Sequence, residues 1–192
     1  MKYAFFFLVV VLASLISCKN NNTNAADKPA EDSSKVFPVT DFIKREIEEV
    51  NKTPYFIYKL EESNGKKDSS AINIAIFNQL SASFLPSGVA EENLKSNYKE
   101  SIFEDQTTNT FTISYAATDK QLEVQNIEIL LKEDAQTVKR IFIRKFFNYA
   151  DSSAIEQLSW KPGESFRINR SVQKEDNTEN TRQTAIVWNQ KK

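Results

Sequence analysis

Apolar and polar residues change rhythm along this chain, and each rhythm predicts a different kind of element. Ala4 to Ile16 form one apolar run behind Lys2. It is shorter than the roughly 20 residues that span a bilayer as a helix. Lys19 to Lys35 then carry no aliphatic side chain larger than alanine, with Asn20-Asn21-Asn22, Pro29 and Ser33-Ser34 among them. Such a stretch cannot bury enough apolar surface to fold, so it reads as a flexible tether with a mean reach of about 20 Å. Helical spacing follows: Val39, Phe42, Ile43, Ile47 and Val50 share one face, with Lys44, Arg45, Glu46, Glu48 and Glu49 elsewhere. Pro38 precedes this helix, Thr40 is a candidate cap, and Pro54 stands beyond its end.

Alternation then takes over. Phe56, Tyr58 and Leu60 line one face of a strand from Tyr55 to Glu61, and Ser63-Asn64-Gly65-Lys66 has the composition of a turn. Ile72, Ile74 and Ile76 alternate in the returning strand of this hairpin. Two short helices are expected next, around Phe77 to Phe84 and around Ala90 to Ile102, the second because Leu94, Tyr98 and Ile102 recur every fourth residue. Period two returns in Phe111/Ile113/Tyr115, Ile127/Ile129/Leu131, Ile141/Ile143, Leu158/Trp160, Phe166/Ile168 and Ile186/Trp188. These make about six strands joined by short polar turns, and short turns force antiparallel neighbours. Pro162-Gly163 suits the centre of a type II turn.

The expected fold is α+β: a curved antiparallel sheet, a meander of about six strands plus an N-terminal hairpin, with N-terminal helices packed on one face. Residues 36–192 make one domain, large enough to bury roughly 70% of the surface of its unfolded chain.

Composition removes many chemistries. The chain has no histidine, so the commonest general base and the commonest transition-metal ligand are both missing. It has only three glycines, Gly65, Gly88 and Gly163, and neither a phosphate loop nor a dinucleotide fingerprint can be written with them. Paired acids occur at Glu61-Glu62, Glu91-Glu92, Glu104-Asp105, Glu133-Asp134 and Glu175-Asp176. Neighbours in a turn do not face one cleft as a glycosidase pair must, and these read as solvated surface charge. No calcium-loop spacing is present. The expectation is a protein that is not an enzyme and uses neither metal nor cofactor.

The lone cysteine changes the picture most. Leu15-Ile16-Ser17-Cys18 stands directly behind the apolar run and ahead of polar Lys19. This resembles the lipobox of bacterial lipoproteins. The resemblance implies a signal peptide at residues 1–17, and cleavage that leaves Cys18 as a lipidated N-terminus bearing a diacylglyceryl thioether and commonly an amide-linked third acyl chain. Residues 18–35 would be the tether. Two or more buried chains give durable anchoring. Lys19 in place of the aspartate that marks inner-membrane retention points to the outer membrane. Removing the leader takes away only Lys2 among the charged residues, leaving 24 basic against 26 acidic side chains. That balance gives no basic excess to attract nucleic acid.

One strand carries a candidate site. In residues 138–147, Ile141, Ile143 and Phe147 point one way while Val138, Arg140, Phe142, Arg144 and Phe146 point the other. Hydrophobic matching places Asn126 and Glu128 opposite this second face. Arg140, Phe142, Arg144 and Phe146 are therefore the candidate binding residues, with rings to stack and guanidinium groups to flank a partner. The alternative on the same residues is arginine stems covering exposed rings. The leading expectation for function is a non-enzymatic binding or scaffolding role for an envelope protein partner. A carrier of a hydrophobic ligand in a cavity between sheet and helices is the alternative, resembling the envelope's lipoprotein carriers in outline. A histidine-free hydrolase is a remote third.

Overall fold

The structure is a computed structural model that describes residues 36–189. The signal peptide, Cys18 and the tether expected over residues 1–35 lie outside the described residues. Within them, α1 (Val39–Lys52) precedes a hairpin of β1 (Ile57–Ser63) and β2 (Lys66–Ile72). α2 (Ile74–Ser81), two 3₁₀ turns (Ala82–Phe84 and Ser87–Val89) and α3 (Glu91–Asn97) follow. Seven strands complete the chain: β3 (Tyr98–Asp105), β4 (Thr110–Ala117), β5 (Val124–Leu131), β6 (Val138–Asn148), β7 (Ser152–Lys161), β8 (Ser165–Lys174) and β9 (Glu179–Val187).

All nine strands join one antiparallel sheet in the order β2-β1-β9-β8-β7-β6-β5-β4-β3. The expected fold class is thereby corrected. The protein is predominantly β, an unclosed nine-stranded sheet with three short helices, two of which lie inside the chain between β2 and β3. The six strands from Phe111 to Trp188 form as expected, and so does the hairpin turn at Asn64-Gly65, where both residues take positive φ. The additional strand is β3. Its sequence had suggested the end of a helix, but the helical stripe stops at Tyr98: Leu94 and Tyr98 are buried, whereas Ile102 is 65% exposed. Pairing with β4 supplies the backbone partners that a continued helix would otherwise have supplied, and Ile102 and Phe103 suit a strand. The returning strand of the hairpin also ends early. Asn73 accepts from the Ile76 N–H at 3.0 Å and starts α2, so Ile74 and Ile76 belong to a helix.

Register explains the core. Ile113, Ile129, Ile141, Trp160, Phe166 and Ile186 sit side by side across six strands, and Tyr115, Ile127, Ile143, Leu158 and Ile168 form the next row on the same face. Because β2 and β3 occupy opposite edges, residues 73–97 must cross the whole sheet between them, about 38 Å at the usual strand spacing. They cross on this apolar face. Phe77 and Phe84 descend from the crossing onto Trp160, Phe166 and Trp188, with ring centroids 5.1–5.7 Å apart across the two layers. Gly88 passes so close to β5 that a Cβ there would lie 2.9 Å from Val124 Cγ2.

α1 covers the same face. The Tyr115 hydroxyl accepts from the Phe37 N–H at 2.9 Å, and Thr40 donates to the Val89 carbonyl at 3.2 Å in place of capping its own helix. Glu46 accepts from Trp160 Nε1 at 3.3 Å and from the Gly163 N–H at 2.7 Å. It thus ties α1 to the Pro162-Gly163 turn, where Gly163 has a φ of +67° as a type II turn requires. Among the described residues, no helix is long and apolar enough to cross a membrane.

Removing the Phe84 ring, which packs on Trp160 and Phe166, leaves a cavity that the rigid neighbouring rings cannot fill. Phe84→Ala should therefore cost about 3–5 kcal/mol in urea unfolding, whereas Phe142→Ala on the uncovered face should change stability by only about 0.5 kcal/mol. Equal losses at the two positions would mean that the helices do not mark the buried face.

Candidate functional site

Among the described residues, no helix lies on the second face of the sheet, and the strand alternation that aims Ile141 and Ile143 into the core aims Arg140, Phe142, Arg144 and Phe146 away from it. All four candidate residues therefore share one face. Val138 does not join them. A register shift between the Leu130–Arg140 and Leu131–Val138 pairs turns Val138 inward onto buried Leu131, which corrects its expected placement. Phe142 is 39% exposed and Phe146 37% exposed. Arg140 donates to Ser159 Oγ at 2.9 Å and holds its guanidinium 5.8 Å from the Phe142 centroid. It covers the ring as the structural alternative required.

Asn126 pairs with Arg144 and Glu128 with Phe142, as hydrophobic matching required. Glu128 makes no ion pair among the described residues. It accepts instead from Asn126 Nδ2 at 2.9 Å.

Carrying the register outward from Arg144 shows what sequence spacing could not. Arg144 pairs with Gln157, Gln157 with Asn169, Asn169 with Gln183, Gln183 with Glu62, and Glu62 with Lys67. With Asn126 on its other side, Arg144 belongs to a straight row of polar side chains crossing seven strands, about 29 Å long. Phe142 lies in the row on one side of it, with Leu60 and Ala185. Phe146, Ile155 and Thr181 lie in the row on the other. Three depressions of about 460, 450 and 270 Å³ follow this line and share members: Glu62 and Gln183 line both of the larger two, and Gln157 joins the second to the third. The signal was present in the sequence as amides separated by the strand-to-strand interval, but only register brings them into line.

The row is weakly satisfied by the protein itself. Glu62 and Lys67 pair at 3.7 Å at one end, and Asn126 is engaged by Glu128 near the other. Among the described residues, Arg144, Gln157, Asn169 and Gln183 make no side-chain hydrogen bond or ion pair, and Asn169 Oδ1 is a buried acceptor without a partner. Buried acceptors are ordinarily paired, so this one marks the centre of the row as chemically unfinished.

Three of the acidic pairs are used elsewhere, each through its aspartate. Asp105 accepts from the Thr107 N–H and Thr108 hydroxyl, Asp134 from the Gln136 and Thr137 N–H groups and the Thr137 hydroxyl, and Asp176 from the Thr178 N–H. Each finishes a hairpin turn. The Thr137 hydroxyl, then the turn amides, hold the Asp134 carboxyl down to about 2. Thr108 and Thr178 act in the same direction on Asp105 and Asp176. A general acid needs the opposite shift. Among the described residues, no group of three or more acidic or cysteine side chains is arranged to hold a metal ion. Trp160, next to the Pro162-Gly163 turn, is buried and donates to Glu46.

Compared with known proteins, the chain matches no family model, no curated protein and no solved structure.

A carboxyl whose folded pKa is depressed contributes stability that is present above its unfolded value, 3.8, and is lost as pH falls through about 2. Asp134→Asn should therefore remove part of the acid dependence of the thermal midpoint between about pH 4 and pH 2, while leaving the midpoint's pH dependence near neutrality unchanged. A variant with the wild-type slope in that window would contradict the turn-capping role.

Proposed function

We propose that the protein is a membrane-anchored lipoprotein of the cell envelope, held in the outer membrane through lipid on Cys18, and that it works by non-enzymatic binding on the open face of its sheet. The observation that carries the reading is the asymmetry of the two faces. One is occupied by helices and an interlocked cluster of five rings, Phe77, Phe84, Trp160, Phe166 and Trp188. The other leaves Phe142, Phe146 and Arg144 at least partly exposed beside side chains that find no partner among the described residues. Those rings occupy the space a carried hydrophobic ligand would need, so the support falls on a surface mode of binding. Acids that finish turns support a non-catalytic role in the same way.

Both halves of the proposal can be tested separately. Cys18→Ser should release the protein from the membrane fraction while leaving its thermal unfolding unchanged, because the anchor is a lipid and the packed core begins at Val36. A variant that still pellets with membranes after a high-salt wash would contradict the anchor. Arg144→Ala with Phe142→Ala should weaken capture of the bound partner by about 2 kcal/mol, roughly thirtyfold, and lower folding stability by less than about 1 kcal/mol. Retention of every partner by a stable double variant would remove the open face from the argument.

A further inference from the structure

We infer that the ligand of the open face is a linear, uncharged polysaccharide laid along the row Asn126–Arg144–Gln157–Asn169–Gln183–Glu62, an inference that rests on the binding role proposed above. Three features of the row select this chemistry. First, its centre is made of amides. Gln157, Asn169 and Gln183 each present a carbonyl acceptor and two N–H donors on a short side chain, the combination that sugar hydroxyls, which also both donate and accept, can satisfy from either side. Asn169 Oδ1 is buried at the midpoint without a partner, so a ligand hydroxyl that draws the side chain outward gives this acceptor the hydrogen bond it lacks.

Second, the charge is nearly balanced. Glu128 and Arg167 both stand in the adjoining row and Glu62 is paired with Lys67, which leaves Arg144 as the one uncompensated charge of these five, too little to hold an anionic polymer such as a nucleic acid, whose binding rests on several phosphate contacts. Third, the shape is long and shallow. The depressions lie end to end across the strands, with the Phe142 and Phe146 rings flanking Arg144 on either side of the line. Exposed rings beside hydrogen-bonding amides offer an apolar surface to the C–H face of a sugar ring and polar groups to its edge. A protein partner is disfavoured by the same composition. The centre of a protein interface is apolar and aromatic with a polar rim, whereas here the polar groups run through the centre and the rings stand at the sides.

The test uses the full chain purified in a detergent without sugar headgroups, titrated calorimetrically with cellohexaose, maltohexaose and chitohexaose, with the corresponding disaccharides and with heparin. One of the neutral hexamers should bind saturably and at least about tenfold more tightly than its disaccharide, because a longer chain engages more of the row, and heparin should not compete. Gln157→Ala should weaken that binding by about tenfold, the loss of one net hydrogen bond. Asn169→Leu separates ligand binding from a structural role: the buried acceptor has no partner to lose, so the thermal midpoint should hold or rise while binding falls by a similar factor. A fall in midpoint with binding intact would assign Asn169 to the fold and overturn its place in the site. Failure of every neutral hexamer at millimolar concentration overturns the polysaccharide. If cross-linking in native membranes then captures an envelope protein through the same face, the binding role stands with a different partner class. If nothing is captured, both readings fall.

Discussion

Pairing of β1 with β9 is the constraint on which the rest of this structure depends. It joins the first hairpin to the last strand of a seven-strand meander and so sends the two strands that are consecutive in the chain, β2 and β3, to opposite edges. The connection between them has no short route. It must traverse the sheet, and it does so on the face where Ile, Phe and Trp side chains stand in register, because burying those rows against Phe77, Phe84, Val89 and Leu94 is worth far more than crossing the polar face would be. One covered face and one open face are thus consequences of strand order, before any individual side chain is considered.

That constraint also explains what could be read from the chain and what could not. Strands β4 to β9 were legible because each has one buried face and one wet face, so apolar residues recur with period two. β3 was not, because it is the last strand of an open edge. Only Tyr98 at its start is buried, while Ile102 and Phe103, on opposite faces, are 65% and 66% exposed. An edge strand of that kind has no side to hide and therefore no alternation to reveal. The start of α2, whose later part falls in the helix expected around Phe77 to Phe84, was hidden for a different reason: Ile72, Ile74 and Ile76 alternate in sequence, but Asn73 between the first two provides a helix cap that outweighs the pattern. The candidate site was legible one strand at a time. Arg140, Phe142, Arg144 and Phe146 were visible as an alternating set, whereas Gln157, Asn169 and Gln183 lie on three separate strands and meet Arg144 only through pairings of 13, 12 and 14 residues' separation in the chain.

Within the candidate set, the structure assigns different work to neighbours of the same type. Arg140 is committed to Ser159 and the Phe142 ring, and so belongs to the surface it covers. Arg144, four residues on, has no such commitment among the described residues. The difference follows from what stands opposite each of them: Arg140 lies near a serine hydroxyl that can accept from it, and Arg144 is flanked across strands by two amides, Asn126 and Gln157, the first of which is already engaged.

The same height of the sheet makes the contrast sharper. Behind Arg144, Gln157, Asn169 and Gln183, one residue along each strand and facing the other way, stand Lys145, Glu156, Arg170 and Arg182. This second row lies past the end of the aromatic cluster, where the covered face turns from apolar to charged. Each of its members is matched: Lys145, only 6% exposed, is held 3.2 Å from Glu123, Arg170 pairs with Glu156 and also donates to the Tyr149 hydroxyl at 3.1 Å, and Arg182 stands 3.6 Å from Glu61. The Lys145 and Arg170 cations both lie close to the Phe147 ring, at 5.9 and 5.3 Å from its centroid. Charges set that close in a partly buried layer must be paired, since an uncompensated one would be expelled or neutralised, and their pairing completes the fold. Neutral amides on the wet face are under no such compulsion. Water satisfies the exposed Gln157 and Gln183 at little cost, so they can persist without protein partners among the described residues, and can exchange that water for the hydroxyls of a ligand. Back to back across one layer of backbone, the paired row and the unpaired row separate what holds this molecule together from what it has left free to bind.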